Sequence, residues 1–204
     1  MSRPDEVTVT GSQQHEAHPE GAHAVRLMDV IDMGERLDTF PGQPERLSRK
    51  VVLVFQSGKK NTQGRLHEIN AEFTLSLSPK AKLLKFLEQW RGKAYKPGEA
   101  TDIPLHKLVG TPGFASIENR VSGAGRTYAV ISTIMPLPEG MVAPTLPEYE
   151  RPEFYATRKA GYQAEVAAFK ERIGAVQAAA APVATSFEDV PAGLAEDDGS
   201  DLPF

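Results

Sequence analysis

Few residues in this chain have the types and spacing that catalysis or metal binding requires. His15 and His18 could grip a metal ion together, but the polar stretch around them supplies no third or fourth ligand. His67 and His106 have no nucleophile or carboxylate at a diagnostic spacing. The chain has no cysteine, which excludes disulfides and thiol chemistry. The sequence therefore predicts no enzyme activity, no cofactor and no metal site.

One acidic pair leaves an enzymatic alternative open. Asp29 and Asp32 lie on or near the first predicted strand, and with Glu72 they could serve a metal-dependent nuclease. Acids at strand ends are more often solvated, so this is the least favoured hypothesis. A phosphate-binding glycine loop is also missing, since Gly-x-Gly occurs only in the hairpin turn at Gly123 and Gly125.

The residue types favour binding to a single-stranded nucleic acid. Such binding needs a basic groove for the phosphates and aromatic faces for the bases. Basic side chains here flank the predicted strands and the central helix, with aromatic residues among them. The candidate ssDNA-binding residues are Arg49, Lys50, Phe55, Lys59, Lys60, Arg65, Lys82, Lys85, Trp90, Arg91, Lys93, Tyr95, Arg120, Arg126 and Tyr128.

The aromatic candidates differ in how well they fit a surface role. Phe55 ends an apolar run and is evenly balanced between core and interface. Trp90 lies on the apolar side of its helix, which favours the core, although its basic neighbours keep a groove-edge role open. Tyr95 in a loop and Tyr128 after Arg126 on a strand are the better stacking candidates.

Charge is distributed unevenly along the 204 residues. The formal net charge is -4, but residues 23–182 hold 22 bases against 17 acids, whereas residues 183–204 hold six acids and no base. A mildly basic body with an acidic tail indicates a polyanionic partner for the body and a separate partner for the tail. An ordinary domain with a solubilising tail is the simpler alternative.

Apolar patterning predicts five strands and two helices. Residues 24–31, 51–55, 67–77, 114–121 and 126–134 are the strands, and the breaks after the first come at Met33-Gly34 and Phe40-Pro41-Gly42. In the third strand, apolar residues alternate with polar ones, which predicts one buried and one outward polar face. Two hairpins follow from the turns at 57–64 and 122–125.

A helix opening at Ser78-Pro79 and stopping at Gly92 separates the third and fourth predicted strands. Five short strands with a helix in this place are the order of an OB-fold barrel, so the fold class is mainly β. A second helix over 156–181 carries an apolar seam, which we expect to pack within its own domain rather than on a partner.

The body of the chain resembles OB-fold single-stranded DNA-binding proteins encoded by bacteriophages. The resemblance lies in the segment from Phe73-Thr74-Leu75-Ser76-Leu77-Ser78-Pro79 to Trp90-Arg91-Gly92, and in Arg126-Thr127-Tyr128-Ala129. It covers about residues 24–140. It implies a protein that coats ssDNA without sequence specificity during DNA replication, recombination or repair.

The acidic tail is similar to the tip of bacterial single-stranded DNA-binding proteins, which ends Asp-Asp-Asp-Ile-Pro-Phe and docks on replication and repair enzymes. Leu202 stands in place of isoleucine, and Gly199-Ser200 interrupts the acids. The resemblance implies recruitment of replication and recombination proteins, and competition of the tail with DNA for the basic groove. The expected partner-binding residues are Asp197, Asp198, Asp201, Leu202, Pro203 and Phe204.

The predicted organisation has four parts: a disordered segment at 1–22, an OB-fold domain at 23–155, a C-terminal helix at 156–181 and a disordered acidic tail at 182–204. No secretory signal or membrane span is evident, so we expect a cytoplasmic protein, in a bacterial host if phage-encoded. A homo-oligomer is possible. The alternative function is a protein-interaction or virion-associated module that binds no nucleic acid.

Overall fold

A computed structural model describes residues 16–96, 98–145 and 147–179. The chain divides into two compact units, 1–169 and 170–204; the sheet, α1 and the first part of α2 belong to the first unit. Among the described residues, no helix has the length and apolarity to cross a membrane. The strands are β1 Gly21–Asp38, β2 Arg46–Lys60, β3 Leu66–Thr74, β4 Pro112–Val121 and β5 Thr127–Met135; the helices are α1 Lys82–Arg91, a 3-10 turn Leu105–Leu108, and α2 Phe154–Ala179.

The five strands form one antiparallel sheet in the order β3-β2-β1-β4-β5. The long central strand β1 serves both halves: Gly21–Arg26 pairs with β4, and Arg26–Asp38 pairs with β2. Both predicted hairpins, β2–β3 and β4–β5, are confirmed. The edge strands β3 and β5 approach each other, but no hydrogen-bonded ladder joins these two fully described strands. The sheet is therefore open, and the predicted closed barrel is not confirmed.

Strand β1 is longer than its sequence indicates. The predicted break at Met33-Gly34 is wrong, because the strand runs on to Asp38 with a register shift between Asp32 and Gly34. Gly34 has a φ of +77°, a backbone conformation that costs glycine little, so the strand bends there and continues. The start of the chain also differs from the prediction: β1 begins at Gly21, and residues 16–20 contact the sheet.

The inner face of the sheet and α1 enclose the main core. The alternation in β3 is confirmed on this side, where Ile69, Ala71 and Phe73 point inward. The helix lies against both edge strands, β3 and β5. It ends at Gly92 as predicted, with a φ of +71° there, but it begins at Lys82 rather than at Ser78-Pro79 and has no side-chain cap. The buried cluster comprises Val25, Leu27, Val51, Leu53, Phe55, Ile69, Leu83, Phe86, Leu87, Trp90, Ala115, Ile117 and Ile134.

The outer face of β1, β2 and β3 is covered by α2. Val52 and Val54 pack on this side with Tyr155 and Tyr162, which confirms that the 51–55 run is buried on both faces. The predicted intramolecular packing of the second helix is seen at Tyr162 and Val166, both buried. The polar face of β3, predicted to point into solvent, instead meets polar groups of α2.

Candidate nucleic-acid interface

The outer face of the β1–β3 half is acidic and is held by cations of the C-terminal segment. Arg151 donates two hydrogen bonds to Asp29, from Nε at 2.6 Å and from Nη2 at 2.9 Å. Glu72 accepts from Arg36 at 2.9 Å and also pairs with Arg158. A polyanion would therefore meet carboxylates and a covering helix on this face, which makes it a poor nucleic-acid surface.

The same contacts bear on the nuclease alternative. Asp29, Asp32 and Glu72 each bind an arginine, and the partner of Asp32 is Arg49. The hydrogen bond from Arg49 is the main reason that the pKa of Asp32 lies below its usual value. Nowhere in the described ranges do three histidine or acidic side chains form a group that could hold a metal ion.

A groove of 660 Å³ opens at the turn between β1 and β2, and we call it the β1–β2 groove. Its walls are that turn, the end of β3 and the residues leading into α1. Arg46, Lys80 and Lys82 line it, all three are exposed, and the guanidinium of Arg46 lies 5.7 Å from the centre of the half-exposed Phe40 ring. The rest of the lining consists of the hydroxyl residues Ser48, Thr74, Ser76 and Ser78, the charged residues Asp38, Lys50 and Glu72, and the apolar residues Leu47, Phe73 and Ala81.

The acids of the β1–β2 groove are already neutralised. Asp38 is buried and accepts from Lys50 Nζ at 2.9 Å and from the Ser48 hydroxyl. Burial alone would raise the pKa of Asp38, but the hydrogen bonds from Ser48 and Lys50 outweigh it and hold the pKa below its usual value. Lys50 also donates to Thr74 Oγ1 at 3.0 Å. Lys50 lines the groove, but its side chain is buried and paired with Asp38, which gives it a structural role.

Two aromatic candidates belong to the core. Phe55 is fully buried, so its ring has no face for a base, and its assignment is corrected. Trp90 is 5% exposed, and its indole N–H donates to the Pro112 carbonyl at 2.9 Å. A Cβ added at Gly113 would lie 2.6 Å from that indole nitrogen, so strand β4 approaches the ring as closely as a glycine allows. Stacking on Trp90 is corrected in the same way.

Around the end of α1, the candidates remain at the surface. The guanidinium of Arg91 lies 4.6 Å from the centre of the Tyr95 ring and pairs with Glu99 at 3.0 Å. Lys93 is exposed, as are Lys82 and Lys85 on the helix. Beside them is an apolar groove of 530 Å³, the α1-end groove, lined by Leu87, Trp90, Arg91, Tyr95, Leu108, Thr111, Pro112, Pro136 and Leu137.

A second basic surface lies on the two hairpin loops at the other end of the sheet. Tyr128 is directly opposite Arg120 in the β4–β5 ladder, and both are exposed. Arg126 on the same hairpin is exposed. So are the bases of the β2–β3 loop, Lys59, Lys60 and Arg65, which form no ion pair with another described residue.

Apart from the buried Phe55, Trp90 and Lys50, and Arg49, which pairs with Asp32, the predicted residues divide between two surfaces: one along α1 from the β1–β2 groove to the α1-end groove, and one on the two hairpins. Strand β2 begins beside the β1–β2 groove and ends in the β2–β3 loop, so its whole length separates them. The sequence does not single out Phe40, Arg46 and Lys80 as site residues. The turn signal at Phe40-Pro41-Gly42 does predict a loop, and this loop carries an aromatic ring close to a basic side chain. The six predicted partner-binding residues of the acidic tail lie outside the described part of the chain.

No model of a known protein family matches the chain, and no curated protein matches it either. The fold and the chemistry of these two surfaces are therefore what supports a function.

Proposed function

We propose that this protein binds single-stranded DNA without sequence specificity and holds it in the β1–β2 groove. The observation that carries the proposal is the combination found there. Arg46, Lys80 and Lys82 line a concave surface, Phe40 offers a half-exposed ring, and serine and threonine residues lie among them, while both acids of the lining, Asp38 and Glu72, are paired with cations. Cations and hydroxyl donors suit phosphates, and an exposed ring suits an unpaired base.

The topology supports this proposal. The strand order β3-β2-β1-β4-β5, the shared strand β1 and a helix lying against both edge strands are the arrangement of a partly open OB-fold barrel. In that fold, the loop between the first two strands is one of the places where oligonucleotides bind. Phe40 and Arg46 are on or beside that loop here.

Simple electrostatics predicts how such binding would behave. Each phosphate neutralised on a single strand contributes about −0.7 to the slope of log affinity against log salt concentration. Three cations in the groove therefore predict a slope of about −2 from this surface alone. Stacking on Phe40 would add about 1–3 kcal/mol and would be almost insensitive to salt.

The direct experiment is fluorescence anisotropy of a dye-labelled oligo-dT titrated with the full chain at low and high salt. Label on the DNA is preferable to intrinsic fluorescence, because the buried Trp90 would report on folding rather than on stacking. We expect saturable binding at low salt that weakens at high salt, and weaker binding to a duplex of equal length. Absence of binding at low salt would contradict the proposal.

The acidic segment at 197–204 fits a separate role, the recruitment of a partner protein. Its acids and apolar residues would bind a replication or recombination protein that shares the cytoplasm with this chain. Removing residues 197–204 should leave oligo-dT affinity equal or higher, because an acidic competitor is lost, and should abolish capture of that partner. Partner capture that survives the deletion would contradict this role.

A protein-interaction module is the second candidate, and the α1-end groove favours it. Its apolar lining, with Pro136 and Leu137 facing Tyr95 and Trp90, suits an apolar peptide better than a phosphate chain. The oligo-dT titration distinguishes the two functions. Pro136→Ser should leave oligo-dT binding unchanged under the DNA proposal, whereas a module that binds no DNA would fail the titration at every salt concentration.

A further inference from the structure

Three histidines from three different parts of the chain meet near the N-terminal end of β1. The His18 ring is 1% exposed. Its centre lies 4.8 Å from that of His23 on β1 and 5.4 Å from that of His67 on β3, both edge to face. His67 is itself buried. From the sequence alone, His18 is only one member of a weak candidate pair for metal binding. The packed histidine rings are not part of the proposed DNA groove.

His18 belongs to a short segment, residues 16–20, that we call the N-terminal strap. The strap is tied to the β2–β3 loop by Glu16, whose carboxylate accepts from both the N–H and the hydroxyl of Thr62 at 2.8 Å. It is tied to β4 by Glu20, which accepts from the Asn119 N–H at 2.8 Å. The strap therefore bridges the two basic hairpins.

His18 fastens the middle of the strap. Its Nδ1–H donates to the Pro19 carbonyl at 2.6 Å, so the neutral ring has Nε2 available to accept from the Ser57 hydroxyl near the end of β2. A second proton on His18 would convert Nε2 into a donor and reverse the direction of that hydrogen bond. It would also place a charge in a buried site beside two other imidazoles.

We propose that the strap is a proton-operated latch: it is closed while His18 is neutral, and protonation of His18 releases it from the β2–β3 loop. The groups that act on His18 electrostatically are His23 from β1, His67 from β3 and Lys59 from β2, all of which oppose a positive charge there. The strap's own acids, Glu16 and Glu20, are bound to backbone and hydroxyl donors, and Glu16 also interacts electrostatically with His67 of the cluster. The inference does not depend on DNA binding.

The pKa of His18 supports the direction of this latch. Burial is the largest effect and lowers the pKa, and the nearby His23, His67 and Lys59 lower it further. A histidine that is harder to protonate when folded than when unfolded costs no stability above the unfolded pKa of about 6.5. Stability of the closed strap is then lost as the pH falls from about 6.5 toward the lower folded pKa.

The test is an NMR titration of the full chain from pH 7.5 to pH 5, following the amide signals of Thr62 and Asn119 together with the imidazole signals. We expect both amides to leave their hydrogen-bonded positions in one transition with a midpoint below 6.5, coincident with the titration of His18. His106 is exposed and lies outside the strap, so His106→Gln is the control and should leave the transition unchanged. Amide signals that stay in place down to pH 5 would overturn the latch.

Two variants keep the inference falsifiable. His18→Phe retains a ring without a titrating nitrogen, so the transition should disappear while the strap stays closed. Should this variant open the strap at every pH, His23→Phe decides, because removing one neighbouring charge should raise the midpoint of the transition. A transition that persists in His18→Phe, or a midpoint that does not move in His23→Phe, contradicts the proposal.

Discussion

The hydroxyl of Tyr155 on α2 donates to the side-chain oxygen of Asn70 on β3 across 2.8 Å. This contact is the centre of the interface by which α2 covers the outer face of β1–β3, and Tyr155 is 1% exposed. In OB-folds, the face of the second and third strands is a common oligonucleotide surface. Here α2 of the same chain covers that face, so the site proposed for the strand is the β1–β2 groove.

Tyr155→Phe should weaken the fold without weakening DNA binding. The variant keeps the ring and removes one buried hydrogen bond, so the free energy of unfolding should fall by about 1 kcal/mol in urea denaturation. Phe154→Leu is the matched control, because Phe154 is half-exposed and its replacement should change stability little. A large loss of oligo-dT affinity in folded Tyr155→Phe would mean that the outer face takes part in binding.

Replacing Phe40 should weaken DNA binding, whereas replacing Phe55 should weaken the stability of the fold. Phe40→Ala removes a half-exposed ring, and the loss of one stack, about 1–3 kcal/mol, would weaken oligo-dT binding about 5- to 150-fold with little change in melting temperature. Phe55→Ala removes a fully buried ring and should cost about 3–5 kcal/mol of stability. Equal DNA affinity for wild type and Phe40→Ala would exclude stacking on this ring.

The comparison of these two rings shows how far the sequence leads. Periodicity placed the strands, both hairpins and the end of α1 at Gly92, because each depends on local chemistry. Periodicity does not decide whether Phe55 lies in the core or at the surface, because a strand buried on both faces shows no alternation of apolar and polar residues. Periodicity does not predict the bend at Gly34, the packing of α2 over β3 or the place of Phe40 in the groove, since these depend on contacts between residues that are distant in sequence.

Lys50 should matter for stability, because it forms a buried ion pair. Its side chain is 11% exposed and pairs with the 8% exposed side chain of Asp38. Lys50→Met would leave Asp38 buried without its cation and should lower the free energy of unfolding by about 3–5 kcal/mol. Arg49→Met next to it is the control, because the Arg49–Asp32 pair is exposed and screened by solvent, so its loss should change the free energy of unfolding little. Similar losses in both variants would contradict the buried-pair account.

The Asp38 carboxyl should also affect how the free energy of unfolding changes with pH in the acidic range. Its folded pKa lies below its unfolded value of about 3.9, so its contribution is complete well above pH 4 and is lost as the pH falls through the folded pKa. Asp38→Asn should therefore be less stable than wild type at pH 7, with a difference that shrinks below about pH 4. Chemical denaturation at pH 7 and pH 3 measures this, and a difference that grows toward pH 3 would contradict the assigned direction.

The most direct test of the central claim compares the salt dependence of oligo-dT binding in two charge-matched variants. Lys80→Ala/Lys82→Ala removes two cations from the β1–β2 groove, and Lys96→Ala/Lys107→Ala removes two exposed lysines outside it. If DNA lies in the groove, the first variant should bind more weakly, and its slope of log affinity against log salt should be less steep by about 1.4. The second should retain the wild-type slope. Equal slopes in both variants would contradict the proposal that the β1–β2 groove holds the strand.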